Sequence, residues 1–121
     1  MKRLIARLDT KGSRLIKGIS FEGLRVLGPT TDFMSRYSHL AIDEIHLIDS
    51  VASLYQRSSL VETIKNSCSN IRTPIIVGGG ITSLDHASTL FDVGADRISL
   101  NSILFKSTDI VVDIANKYGA Q

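Results

Sequence analysis

A single cysteine, Cys68, stands in the 121-residue chain, so no internal disulfide can form and no pair of thiols offers metal-ligand spacing. A cytoplasmic chain is expected. Long apolar runs are also missing: no stretch of ~18 apolar residues occurs, which leaves no candidate transmembrane helix. Met1-Lys2-Arg3 opens like a signal peptide, but Arg7, Asp9, Lys11 and Arg14 break up any apolar segment behind it. Charge of one sign is scarce, with 14 Lys plus Arg against 12 Asp plus Glu and a formal charge of +2. Without a basic run, nucleic acid is not an expected partner, and any anionic ligand should be small. Neither GxxxxGK[ST] nor GxGxxG occurs, which argues against P-loop and Rossmann nucleotide binding. No motif calls for a metal or a cofactor.

What remains is a chain with 43% hydrophobic residues, enough for a real core in one domain spanning residues 1–121. Strands are predicted at Leu4 to Leu8, Glu44 to Ile48, Pro74 to Val77 and Arg97 to Leu100, each short and rich in Ile, Leu or Val. Helical periodicity marks about Thr31 to Leu40, Ser59 to Cys68, Leu84 to Val93 and Thr108 to Tyr118. Ser58 or Ser59 and Ser83 fall at N-cap positions, and Gly94 and Gly119 fall where helices end. The order β-α-β-α-β-α-β-α predicts a parallel sheet with right-handed crossovers. Length suits an open doubly wound sheet, since a full barrel needs ~250 residues. The polar residues point instead to part of a barrel.

The two-residue period places Arg3, Ile5, Arg7 and Asp9 on one face of the first strand. Glu44, His46 and Ile48 form the matching face of the next, and Arg97, Ser99 and Asn101 that of the fourth. Ionisable groups repeated on one face are costly in a dry core but acceptable in a wet barrel lumen, or on a solvent-facing edge strand. Val77-Gly78-Gly79-Gly80-Ile81 leads from a strand to a helix, as a phosphate cradle does and as a tight turn also does. Asn101-Ser102 offers hydrogen-bonding groups at the neighbouring loop. Asp9 and Asp49 end strands, where each suits either acid–base work or a loop ion pair. Lys17 lies in a long Gly-containing loop after the first strand, placed to meet a second anion or simply solvated. His39, His86 and Cys68 fall on helices and read as surface or packing residues.

These residues resemble a family, the cyclase subunit of imidazole glycerol phosphate synthase. The likeness covers the whole chain through Leu8-Asp9-Thr10-Lys11, Arg14-Leu15-Ile16-Lys17-Gly18, Asp43-Glu44, Ile48-Asp49, Ala52-Ser53, Val77 to Ile81, Gly94-Ala95-Asp96-Arg97, Ser99-Leu100-Asn101 and Tyr118-Gly119-Ala120-Gln121. It implies an α/β fold that is the (β/α)4 half of a TIM-type (β/α)8 barrel. It makes Asp9 one of two catalytic aspartates, the other belonging to a fifth strand, and places Lys17 in a mobile loop over the substrate. Gly79, Gly80, Asn101 and Ser102 match the site for one of two substrate phosphates. Arg3, Glu44 and Arg97 match charged residues that gate the barrel's bottom, where ammonia from a glutaminase subunit enters; the family usually has Lys at the Arg97 position.

The implied reaction is that of a lyase in histidine biosynthesis: ammonia-dependent cleavage and cyclisation of a phosphoribulosyl-formimino aminoimidazole carboxamide ribonucleotide. One departure stands out, because Ala6-Arg7 replaces the family's usual Pro-Cys. Arg7 shares a face with Asp9, and a nearby cation favours the ionised carboxylate and weakens it as a base. A non-catalytic phosphosugar-binding module and a cyclase-like enzyme of a surface-sugar pathway are therefore the alternatives. Open edges at the first and fourth predicted strands lead to an expected homodimer closing an eight-stranded barrel.

Overall fold

A computed structural model describes residues 1–19, 23–50 and 57–121. The strands and helices follow in the order β1 (Ile5–Lys11), β2 (Arg14–Ile19), β3 (Gly23–Pro29), α1 (Thr30–His39), β4 (Glu44–Asp49), α2 (Arg57–Cys68), β5 (Ile75–Gly78), α3 (Leu84–Asp92), β6 (Arg97–Ser99) and α4 (Asp109–Tyr118), with a short 3-10 turn at Ser102–Phe105 before α4. They form one six-stranded sheet of order β3-β2-β1-β4-β5-β6.

The parallel part, β1-β4-β5-β6, runs in sequence order without the reversal that defines a doubly wound sheet. All four helices also cover the same face. Met34 of α1, Leu60 and Ile64 of α2, Ala87 and Leu90 of α3, and Ile110 and Ile114 of α4 share one apolar cluster with Leu8, Ile45, Leu47, Ile75 and Val77. Those strand residues have a single alternation parity, so the opposite face carries no helix. A one-sided helical layer on a sequentially ordered parallel sheet is half of a (β/α)8 barrel.

The start of each parallel register is fixed by a repeated device. Asp43 accepts from Leu4 N through Oδ2 at 2.6 Å while its own N–H donates to Leu4 O at 3.0 Å. Asp96 treats Ile75 in the same way, at 2.8 and 2.9 Å. An aspartate just ahead of a strand thus clamps the backbone of the neighbour and fixes which residues face the lumen.

Three expectations need correction. The segment after β1, expected as a long loop bearing Lys17, is largely the antiparallel β2–β3 hairpin, in which Lys17 is paired with Arg25. Its signal is Gly12-Ser13, a two-residue connection between the paired Lys11 and Arg14, with Gly12 at φ +61° as such a turn requires. The α2 helix already includes Arg57, so neither Ser58 nor Ser59 stands at its N-cap position. The open edges are also partly covered: β2 pairs with β1 at Thr10 and Lys11, and Ile98 N on β6 donates to Gln121 O at 2.9 Å. Ser83 does cap α3, accepting from His86 N at 3.1 Å. The Ala52-Ser53 landmark lies outside the described residues.

Candidate functional site

Register and alternation bring the polar residues of three strands onto the helix-free face. Arg7 is the cross-strand partner of His46, and His46 that of Ile76, which partners Arg97. One step toward the strand ends, Asp9, Ile48, Gly78 and Ser99 form the next row.

At the N-terminal end of the strands Arg3 and Arg97 both donate to Glu44 Oε1, at 2.6 and 2.7 Å. The carboxylate is buried, with 6% of its side chain exposed, whereas Arg3 and Arg97 remain 59% and 40% exposed. The Arg97 hydrogen bond holds the Glu44 carboxyl below the usual carboxylate range; burial opposes this and Arg3 adds to it. The three residues expected to act together are therefore one ion-pair cluster.

In the middle of the face Arg7 Nε donates to Asp9 Oδ1 at 3.1 Å. The cation expected beside the aspartate is in direct contact with it. His46 Nε2 meets Ser99 Oγ at 2.8 Å, across the intervening strand β5. Gly78 makes that reach possible, because a Cβ there would collide with Ser99 Oγ. Burial first, and then the Arg7 charge, push the His46 imidazole below its ordinary range, while Asp9 pulls it back up. His46 is neutral near pH 7.

At the C-terminal end of the strands lies a cavity of about 650 Å³, whose wall includes Arg7, His46, Asp49, Gly79, Gly80, Ser99, Asn101 and Ser102, with Ile48, Ile81, Leu100 and Ile103 as its apolar parts. Five of the expected site residues thus meet in one space. Asp9 adjoins it through Arg7, and Lys17, exposed on β2, is not part of its wall. Packing explains two of the glycines. Gly78 clears Ser99, and Gly79, at φ +93°, lies so close to the Asp49 backbone that a Cβ would overlap the Asp49 carbonyl. Gly79 and Gly80 then present backbone to the cavity, with α3 following.

The sequence placed His46 and Ser99 on the inward face without pairing them. It also gave Asp43 and Asp96 no role, although an Asp just ahead of two parallel strands was a readable repeat. Cys68, half-buried on α2, donates to Gly94 O at 3.6 Å, and burial pushes its thiol up, as suits a packing residue rather than a nucleophile. His39 is exposed and contacts Ser35 O through Nδ1 at 2.7 Å. Among the described residues no three His, Cys, Asp or Glu side chains cluster as metal ligands. No helix there is long and apolar enough to cross a membrane.

A polar sheet face, with a charged cluster at one end and a loop-lined cavity at the other, on a one-sided helical layer belongs to half of a (β/α)8 barrel. The sequence model of the histidine biosynthesis protein family matches residues 3–121. The chain belongs to that family. It is 45% identical over 119 residues to the imidazole glycerol phosphate synthase subunit HisF of Legionella pneumophila, covering 98% of this chain and 56% of that protein. The HisF subunits of Helicobacter hepaticus and Sulfurisphaera tokodaii are 38% and 36% identical over 120 residues, 99% of this chain and 48% of each of theirs. The chain spans about half the length of the curated relatives it matches.

Proposed function

We propose that this half-barrel supplies the N-terminal half of a cyclase of the imidazole glycerol phosphate synthase type, a cytoplasmic lyase of histidine biosynthesis. The observation that carries this reading is the order of groups along one face: the Arg3–Glu44–Arg97 cluster, then Asp9, then the cavity. Gly79, Gly80, Asn101 and Ser102 would hold one phosphate of the substrate through backbone and side-chain donors. Asp49 stands at the mouth, and Lys17 reaches the substrate only if the hairpin bends over it. Ammonia released by a glutaminase subunit would pass the charged cluster and meet the substrate near Asp9, which moves protons during cleavage and ring closure.

The test is reconstitution. Mixed with the C-terminal half of the Legionella relative, the chain should support ammonia-dependent formation of imidazole glycerol phosphate, and Asp9→Asn should reduce turnover ~100-fold or more. Undiminished turnover in the variant would exclude Asp9 from the chemistry.

The Arg7–Asp9 ion pair favours a second reading, a phosphosugar-binding module without cyclase activity. A barrel that forms on mixing, is stabilised by phosphate, and yet stays inactive with every cyclase substrate would select it.

We also propose that two copies associate through their open sides. Leu4 and Ile5 lie exposed beside the uncovered part of β1, and Phe105, Val111 and Val112 are exposed beyond β6, with Phe105 90% accessible. Sedimentation should show a dimer at micromolar concentration; a monomer at every concentration would rule this out.

A further inference from the structure

Among the described residues Arg7 is the one guanidinium on the wall of the cavity, and its hold there is weak. Its Nε and Nη2 both lie 3.1 Å from the same oxygen, Asp9 Oδ1, in a pair whose side chains are 67% and 41% exposed. Such a pair is screened by water and contributes little. A guanidinium has five N–H donors, and this contact leaves the Nη1 edge uncommitted. His46 lies directly across on β4 and hydrogen-bonds to Ser99 of β6, and both residues also line the cavity. One wall therefore gathers a movable guanidinium, an imidazole and a hydroxyl.

We propose that Arg7, His46 and Ser99 form a subsite for an oxyanion carried by a small ligand, and that the ligand's anion takes Arg7 over from Asp9. The subsite is separate from the Gly79–Gly80 and Asn101–Ser102 loops, though it rests on the reading of this cavity as a ligand site. A fork-shaped guanidinium binds a phosphate or carboxylate through two parallel hydrogen bonds, a stronger arrangement than its present contact with a single exposed oxygen. The exchange leaves Asp9 without its cation, so Arg7 acts as a positioning residue for the aspartate. A ligand with two anionic groups would bridge the wall and the loops.

His46 reports the exchange. The charged groups facing it are Arg7, which lowers its pKa, and Asp9, which raises it; Ile76 flanks it on the sheet with Arg97 next in the same row, Ile48 lies one row above, and Glu44, to which Arg97 donates, lies one row below. An anion bound against the imidazole would raise its pKa.

The experiment is a proton NMR titration of the histidines in the whole chain, with and without inorganic phosphate, using His46→Gln to assign the His46 signal. Phosphate should move the His46 midpoint upward by about one pH unit. In Arg7→Gln the midpoint should already be raised without phosphate, and phosphate should move it little further. Asp9→Asn, which releases Arg7, should bind phosphate several-fold more tightly. A His46 midpoint indifferent to phosphate, or one that moves equally in Arg7→Gln, overturns the proposal. The amide signals of Gly79 and Gly80 separate the two readings: if they respond while His46 does not, the loop site stands and this subsite falls; if neither responds, both fall.

Discussion

On the helix-covered side of β4, Ile45 and Leu47 are fully buried, whereas on the concave side of the same strand Glu44 sits between two arginines and His46 meets a hydroxyl. Neighbouring strands repeat the contrast. Leu8 faces Met34, Ile64 and their neighbours in the apolar cluster, while Arg7 and Asp9, on either side of it in sequence, pair with each other. One face follows the rule for stability and the other departs from it. Burial of a Leu or Ile side chain stabilises by roughly 1.5–3 kcal/mol, and the sheet gains this on the side where the helices lie. Ionisable groups on the other side add little of that kind, and their arrangement in rows makes sense as chemistry carried on a scaffold stabilised elsewhere.

The largest effect of a single change should therefore come from the covered side. Leu47→Ala removes a side chain that is wholly enclosed and should destabilise the chain by about 2–5 kcal/mol, through lost burial plus the cavity left behind. Urea denaturation monitored by circular dichroism measures it. Asp9→Asn on the open side should change the same midpoint only slightly, since the ion pair it disrupts is exposed. A larger loss in Asp9→Asn than in Leu47→Ala would reverse the division of labour between the faces.

This division was legible in the sequence to an uneven degree. Alternation alone put Arg7 and Asp9, Glu44 and His46, and Arg97 and Ser99 on one face, because strand side chains alternate with a fixed period. All four parallel strands and the four helices fell within a few residues of their predicted places. The hairpin was missed because Arg14, Lys17 and Arg25 interrupt the apolar pattern of β2 and β3, leaving the Gly12-Ser13 turn as the main signal. Pairing was not legible. Glu44 and Arg97 are 53 positions apart, as are His46 and Ser99, and only the register of three strands decides that they touch. A phosphate cradle is one of two readings that the Gly78-Gly79-Gly80 pattern allows by itself, whereas the expected ammonia gate rests on family resemblance alone.

Glu44→Gln tests the bottom of the open face. The change removes the negative charge that Arg3 and Arg97 share and leaves a neutral amide oxygen between two cations, so the variant should be less stable at neutral pH, by less than Leu47→Ala. The pH dependence identifies the cause. Because the folded pKa is depressed below about 4.5, the carboxylate's contribution is fully present above that value and is lost as pH falls through the folded pKa. Wild type should lose stability over that acid interval more steeply than Glu44→Gln. Parallel acid-unfolding curves would mean that the two arginines do not act through this carboxylate in the folded state.

The smallest effect should belong to His46, and it falls in a different pH window. Its folded pKa lies below the ordinary 6.5 because burial and the Arg7 charge disfavour the imidazolium. Between the folded value and 6.5 the unfolded chain binds a proton that the folded chain does not, so stability rises with pH across that interval and levels off above it. Thermal melts between about pH 5 and 8 should show this slope in wild type and a flatter one in His46→Gln. Arg7→Gln should also flatten it, because removing the cation brings the folded pKa back toward 6.5. If His46→Gln flattens the slope and Arg7→Gln does not, burial alone sets the His46 titration, and the two residues, although adjacent across the strands, are not electrostatically coupled.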